Sequence, residues 1–167
     1  RTGSHIMLHA TDTPDRLNKD FDSEGCVVVR NEEIREIAKA IRIGLSQVLV
    51  FSELTDAFFK AFPKDQVARL RSFFEDWISG WEKKDVDRYV SKYHPEFESG
   101  GKDRNAWRVY KDSLNKRYGT ISVGVKDVYF HLHPKYNVIT FSQNYRSTLS
   151  NGTPGFTSIG TKVIFVA

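Results

Sequence analysis

The chain has 167 residues and a mass of 19.2 kDa, room for one ordinary domain or for a small domain with part of another. With 40% hydrophobic and 28% charged residues its balance is globular, which excludes a disordered chain, and no apolar run nears the roughly 20 residues that span a bilayer. The formal charge of +4 comes from 25 basic and 21 acidic residues that are well mixed, so acidic partners are favoured only weakly. A single cysteine, Cys26, excludes an intramolecular disulfide framework and leaves one thiol to explain. No basic-then-apolar leader opens the chain; lacking an initiator Met, it reads as a fragment or a mature product.

Residues 4–9 read as a short strand, and a polar loop with Pro14 inside runs from Ala10 to Gly25. Cys26-Val27-Val28-Val29 is β-branched and strand-like. Asn31 is placed to cap a helix whose first turn carries Glu32 and Glu33, suited to the positive end of its dipole. Ile34, Ile37, Ala38 and Ile41 recur at helical spacing, and Gly44 is expected to end that helix. Gln47 to Phe51 reads as a buried strand. So short a β-rich unit leaves strand edges unpaired, so it is read as part of a domain.

Residues 52–65 read as a connector with a short helix around Asp56–Phe62, broken at Pro63. Beyond it, Val67, Leu70, Phe74, Trp77 and Trp81 mark a long amphipathic helix starting at Asp65. Asp85 caps a short helix carrying Val86, Tyr89, Val90 and Tyr93 and stopped by Pro95; Phe97-Glu98-Ser99 then leads into a Gly100-Gly101 turn. Asp103 caps a third helix with Trp107, Tyr110, Leu114 and Tyr118 on one face, ending at Gly119. Three strands are expected at 121–132, 138–149 and about 157–166, joined by Pro134-Lys135-Tyr136-Asn137 and Asn151-Gly152-Thr153-Pro154-Gly155.

Three helices followed by antiparallel strands imply an α+β fold, with a curved sheet wrapping the long helix. The order of elements, with Trp77-x3-Trp81-x3-Asp85, Tyr93-His94-Pro95-Glu96-Phe97 and Gln143-Asn144-Tyr145, resembles the nuclear-transport-factor-two/SnoaL-like cone fold over residues 66–167. Such cones usually finish with one more strand than this chain carries, so the C-terminus is read as cut. The fold hosts both enzymes and binding modules and is nearly silent on function.

The chemically pointed segment is His9-Ala10-Thr11 with Ser23-Glu24-Gly25-Cys26-Val27-Val28-Val29-Arg30-Asn31. A thiol needs a base or a positive environment to act as a nucleophile at neutral pH. A His on one strand and a Cys opening the next can be brought side by side across a sheet. Gly25 allows a tight turn, with nearby N–H groups free to face a developing oxyanion. Taken singly, Cys26 reads more often as a small buried hydrophobe and His9 as a surface residue.

Together these residues resemble the catalytic segment of YkuD-like L,D-transpeptidases, with residues 1–54 as the C-terminal part of that domain, 55–65 as a linker and 66–167 as the cone. The fold class is thus α+β: a partial mixed-β catalytic piece with one helix, then a cone of three helices packed on a curved antiparallel sheet. The resemblance implies Cys26 as nucleophile and His9 as general base. It assigns Gly25, Ser23 and Ala10 to the oxyanion loop and Arg30 and Glu24 to substrate binding. Ala10 stands where Gly is usual, Glu24 where a second His is usual, and Val28 where many members carry Arg. Arg30, two residues on along a strand, is expected to substitute in part.

The implied reaction is acyl transfer on a peptidoglycan stem tetrapeptide, by an L,D-carboxypeptidase or L,D-transpeptidase of the periplasm. The order of domains resembles peptidoglycan-trimming L,D-carboxypeptidases of helical Gram-negative bacteria. No cofactor or metal is called for, since a thiolate with oxyanion donors suffices. The cone is read as an accessory contact to glycan or protein, with no nucleic acid and no membrane span as partners. The rival reading is a non-catalytic wall- or protein-binding module; a free-standing SnoaL-like enzyme is weaker, for want of an acid–base pair in the cone. His131-x-His133 reads as an exposed strand face rather than a metal site. Lys102, Arg104, Arg108, Lys111, Lys116 and Arg117 read as a solvated basic face or a contact for anionic wall polymer. Trp77, Trp81, Tyr89, Tyr93, Phe97, Trp107 and Tyr145 read as core or as the lining of a pocket in the cone mouth.

Overall fold

β-Branched Val27–Val29 forms strand β2, which pairs in parallel with β1, Leu8–Ala10, in the register Leu8 to Val27, His9 to Val28 and Ala10 to Val29. The computed structural model describes residues 7–19, 23, 25–48, 51, 53, 55–56, 60 and 63–167, which fall into two compact units, Arg1–Ser46 and Gln47–Ala167. In the first unit the β1–β2 connection, expected as a plain loop, contains a 3-10 turn at Pro14–Asn18, where Pro supplies a preset φ at the start. Thr11 is buried and its hydroxyl accepts from the Thr13 N–H at 3.1 Å, so the chain turns as soon as it leaves β1. Helix α1 spans Asn31–Ala40.

Two local expectations for α1 are corrected. Arg30, not Asn31, is the N-cap: its N–H donates to the Glu33 carboxylate at 2.9 Å, so the first-turn acid does the capping. The helix stops at Ala40 with Ile41 already extended, before Gly44 is reached. Gln47 and Val48 lie outside any strand. The rest of that expected strand apart from Phe51, the first half of the expected 4–9 strand and most of the Asp56–Phe62 helix lie outside the described residues, as does Glu24.

The second unit begins its regular structure with α2, Gln66–Glu82, whose Leu70, Phe74, Trp77 and Ile78 recur on one buried face, while Val67 stands exposed. Helix α3, Val86–Val90, is capped by the Asp85 carboxylate, which accepts from the Arg88 N–H at 3.1 Å. A two-stranded hairpin follows, β3 at Glu98–Ser99 and β4 at Lys102–Asp103. Its turn residues Gly100 and Gly101 have φ of 55° and 70°, the left-handed pair that a tight hairpin demands. Asp103 caps α4, Arg104–Arg117, accepting from the Ala106 N–H at 2.7 Å. The chain then enters β5 at once, with Tyr118 as its first residue, so α4 ends before Gly119 is reached.

Strands β5 (Tyr118–His131), β6 (Asn137–Leu149) and β7 (Pro154–Val166) form an antiparallel sheet in that order. All three reach further than the sequence pattern suggests at their starts. Register shifts interrupt β5 between Tyr118 and Thr120 and between Lys126 and Tyr129, and such bulges bend a sheet. The concave face packs on α2: Phe74, Trp77 and Ile78 join Ile121, Val123, Ile139, Phe141 and Tyr145 in one core. Phe141, fully buried, meets the Phe74 ring edge-on at 4.8 Å between centroids.

The helices are pinned to one another by charge. Asp76 on α2 accepts from Arg88 on α3 and pairs with Lys92 at 2.5 Å. The Arg88 hydrogen bond, backed by Lys92, holds the Asp76 carboxyl down at about 2.

Candidate active site and the cavity of the cone

His9 sits mid-strand in β1, opposite Val28. Its Nδ1 lies 2.7 Å from the Ala10 carbonyl. A carbonyl only accepts, so Nδ1 is the donor, and in the neutral ring this leaves the lone pair on Nε2, the tautomer a general base requires. Cys26 is half-buried and immediately precedes β2.

The loop before Cys26 is shaped by Gly25, whose φ of 107° disfavours any side chain, and by Ser23, whose hydroxyl donates to the Cys26 carbonyl at 2.7 Å. The Val27 N–H donates to the Met7 carbonyl at 2.9 Å as the first rung of the ladder, so it is not a free oxyanion donor. Arg30 directly follows β2 as the N-cap of α1, with its backbone still extended.

The second unit holds a cavity of about 760 Å³. Six of the aromatic residues singled out by pattern, Trp77, Trp81, Tyr89, Tyr93, Phe97 and Trp107, line it; Tyr145 is in the core. Burial pushes the Tyr89 hydroxyl well above its usual range.

One residue in this wall was read differently from its pattern. Lys111 is not on a solvated face: its Nζ lies 4.7 Å from the Trp107 ring centroid, 5.0 Å from Trp81, 5.6 Å from Tyr89 and 5.9 Å from Tyr110. Burial, with the nearby Lys162 charge, lowers its amine to about 8. The sequence signal was available, since Lys111 is four residues from Trp107 and three from Leu114 and so falls on the apolar stripe of α4. Other basic residues of the region are engaged as surface groups: Arg108 pairs with Asp87 at 2.7 Å, Lys116 with Asp112 at 2.6 Å, and Arg104 donates to the Val90 carbonyl.

The two strand histidines do not form a site. β5 stops at His131, so His133 lies off the strand; the first ring stacks on Tyr129 and the second on Tyr136. Among the described residues no group of three His, Cys, Asp or Glu could hold a metal ion. No described helix is long and apolar enough to cross a membrane.

A sequence profile for the Cds6 C-terminal NTF2-like domain matches residues 69–167, more than half of the chain. The chain belongs to that family. Residues 1–50, N-terminal to the Cds6-type domain, match the L,D-transpeptidase catalytic domain, YkuD. Bd1075 of Bdellovibrio bacteriovorus is similar at 28% identity and a TM-score of 0.70, covering 99% of this chain and 58% of that one. Pgp2 of Campylobacter jejuni, a helical cell shape determining protein, shares the fold at 19% identity and a TM-score of 0.64, covering 99% of this chain and 57% of that one. The chain therefore spans less than two thirds of either relative. A Streptomyces avermitilis protein of the NTF2-like family shares the cone fold at 13% identity and a TM-score of 0.51, over 62% of this chain and 86% of that one. No match was found among curated proteins.

Proposed function

We propose that residues 1–54 carry the cysteine–histidine part of a peptidoglycan-modifying acyl-transfer site, in an enzyme of the periplasm that acts on stem tetrapeptides as an L,D-carboxypeptidase or L,D-transpeptidase. The observation that carries this reading is the His9 Nδ1–H bond to the Ala10 carbonyl, on a strand whose parallel partner begins directly after Cys26. The match of residues 1–50 to the L,D-transpeptidase catalytic domain supports it.

On this reading the free Nε2 of His9 takes the Cys26 proton, and the thiolate attacks the amide carbonyl between the diamino acid and the terminal D-Ala. D-Ala leaves with the proton returned by His9, and a thioester remains. Water then releases a tripeptide stem, or the amine of a second stem forms a cross-link. Gly25 and Ser23 hold the loop that presents the sulfur, Ala10 holds the base through its carbonyl, and Arg30 and Glu24 are assigned to substrate binding. The test is D-Ala release from tetrapeptide stems by the full-length protein that contains this chain. Cys26→Ala should abolish it, and His9→Ala should slow it by about 10²–10⁴. Undiminished release by Cys26→Ala would reject the mechanism.

The aromatic cavity favours a second role, for residues 66–167, in docking the enzyme to the wall. Ring faces suit sugar rings, and basic side chains suit stem carboxylates. The full chain should be retained by purified sacculi, and Arg108→Glu combined with Lys111→Glu should release it. Equal retention of that double variant would reject a docking role for this face.

A further inference from the structure

The geometry points to Lys111 as a nucleophilic amine that condenses with small carbonyl compounds, aldehydes or ketones with a flat apolar body, entering the cavity of the cone. This goes beyond the wall chemistry: loss of sacculus docking would leave it standing.

Three observations place a reactive amine here. First, the amine is lodged among rings, within 6 Å of four aromatic centroids, the nearest being Trp107 at 4.7 Å. Ring faces attract an ammonium but leave its three N–H groups without conventional acceptors. Second, no hydrogen bond or ion pair to Lys111 occurs among the described residues, whereas neighbouring Lys92 is paired with Asp76 and Arg108 with Asp87. Third, the amine opens onto a cavity of about 760 Å³, lined by no Asp or Glu side chain among the described residues. The titratable groups facing the cavity are Lys162 from β7, the terminal carboxylate of Ala167 just after it, Tyr89 from α3, Lys92, Tyr93 and His94 from the segment after that helix, and Tyr136 before β6. Tyr110 adds its ring from the same helix. Only the Ala167 carboxylate among these is negative near neutral pH, no ion pair joins it to Lys111 among the described residues, and Lys162 opposes the charged form. Desolvation beside a second cation is the arrangement that makes a lysine a Schiff-base former.

The cavity wall also holds a polar group suited to a carbonyl substrate. Gln143, only 4% exposed, has its side-chain oxygen buried without a hydrogen-bond partner among the described residues. That oxygen suits the N–H of the tetrahedral adduct. In the reaction the Nζ lone pair forms a bond to the carbonyl carbon, the carbonyl π pair moves to oxygen, and that oxygen takes one of the two amine protons. The carbinolamine then loses its hydroxyl together with the second N–H proton as water, leaving a C=N bond; one water is released per imine, and no oxidant or reductant is consumed.

The experiment is reductive trapping of the full chain with benzaldehyde and cyanoborohydride, mapped by peptide mass spectrometry. With the amine at about 8 against an ordinary 10.5, its free-base fraction at pH 7 exceeds that of a surface lysine by about 300-fold. Lower intrinsic nucleophilicity offsets part of this, so the expected result is at least a ~10-fold preference for Lys111 at pH 7. The preference should vanish in urea. Lys111→Arg should remove the preferred label, and Lys162→Gln, which keeps the amine and removes the opposing charge, should move the pH midpoint of labelling upward. Label spread over the lysines of the native chain as it is over those of the unfolded chain would overturn the proposal. Should Lys111→Arg fail to fold, the native peptide map and the Lys162→Gln profile decide it.

Discussion

Replacing Lys111 with Met should change not only the stability of the second unit but also its dependence on pH. Met has similar reach and fills the same aromatic slot without a titrating group. The folded chain holds the Lys111 amine at about 8, whereas the unfolded chain returns it to the ordinary 10.5. Between these values the unfolded state binds more protons than the folded state, so stability rises with pH there. Below about 8 both states are charged, and folding bears the full cost of burying an ammonium, about 3 kcal/mol before discounting for residual exposure and for the attraction of the ring faces. From pH 7 to pH 9 linkage returns roughly 1 kcal/mol of that cost. Urea unfolding followed by tryptophan fluorescence suits the measurement, because Trp77, Trp81 and Trp107 all line the cavity. The wild-type chain should gain about 1 kcal/mol relative to Lys111→Met between pH 7 and 9, with contributions of other groups cancelling in the difference. Parallel profiles for the two chains would refute the placement of a desolvated amine in this wall.

Phe141→Ala, at a fully buried position against Phe74 and Trp77, should cost about 3–5 kcal/mol in urea unfolding; a loss under about 1 kcal/mol would contradict the packing described. Asp76, held at about 2 by Arg88 and Lys92, stabilises the fold above its ordinary 3.8, and that contribution is lost as pH falls toward 2. The advantage of the wild-type chain over Asp76→Asn in thermal melts should therefore shrink between pH 5 and pH 2; an advantage independent of pH would show that the ion pairs are not its source. The His9 ring should keep its Nδ1-protonated tautomer in nitrogen NMR at neutral pH, and its absence would remove the ordered base from the proposed acyl-transfer site.

The elements most legible in the sequence are those whose local chemistry and long-range packing agree. Helix α2 was readable because Leu70, Phe74 and Trp77 repeat at helical spacing and the same face is buried by the sheet. Asp85 and Asp103 were readable as caps because each is followed by an N–H three residues on, which the carboxylate accepts from. At α1 the local cues competed: Asn31 is a good cap by type, yet Glu33 reaches back to Arg30 and moves the cap one residue earlier. The β3–β4 hairpin was legible only in its Gly100-Gly101 turn, since two-residue strands are too short to show alternation. In the candidate site, His9 and Cys26 were visible as residue types, but the parallel pairing that relates their strands depends on a loop whose length sets no register. Lys111 was hidden by its charge. A cation among basic neighbours looks solvated, and only its place on the Trp107–Leu114 stripe points inward.

The hydrogen bond that orders His9 has a consequence for which changes position 10 can absorb. The acceptor is main-chain oxygen, which every amino acid carries, so the imidazole is oriented by something no substitution at that position can delete. Replacing Gly with Ala there costs the ring's orientation nothing provided the extended backbone is kept, and as β1 runs through Ala10 it is kept. Such a contact transmits no information about the neighbouring side chain. Position 10 is thereby free to drift while the ring beside it stays put, and an unfamiliar residue there is poor evidence of a decayed site.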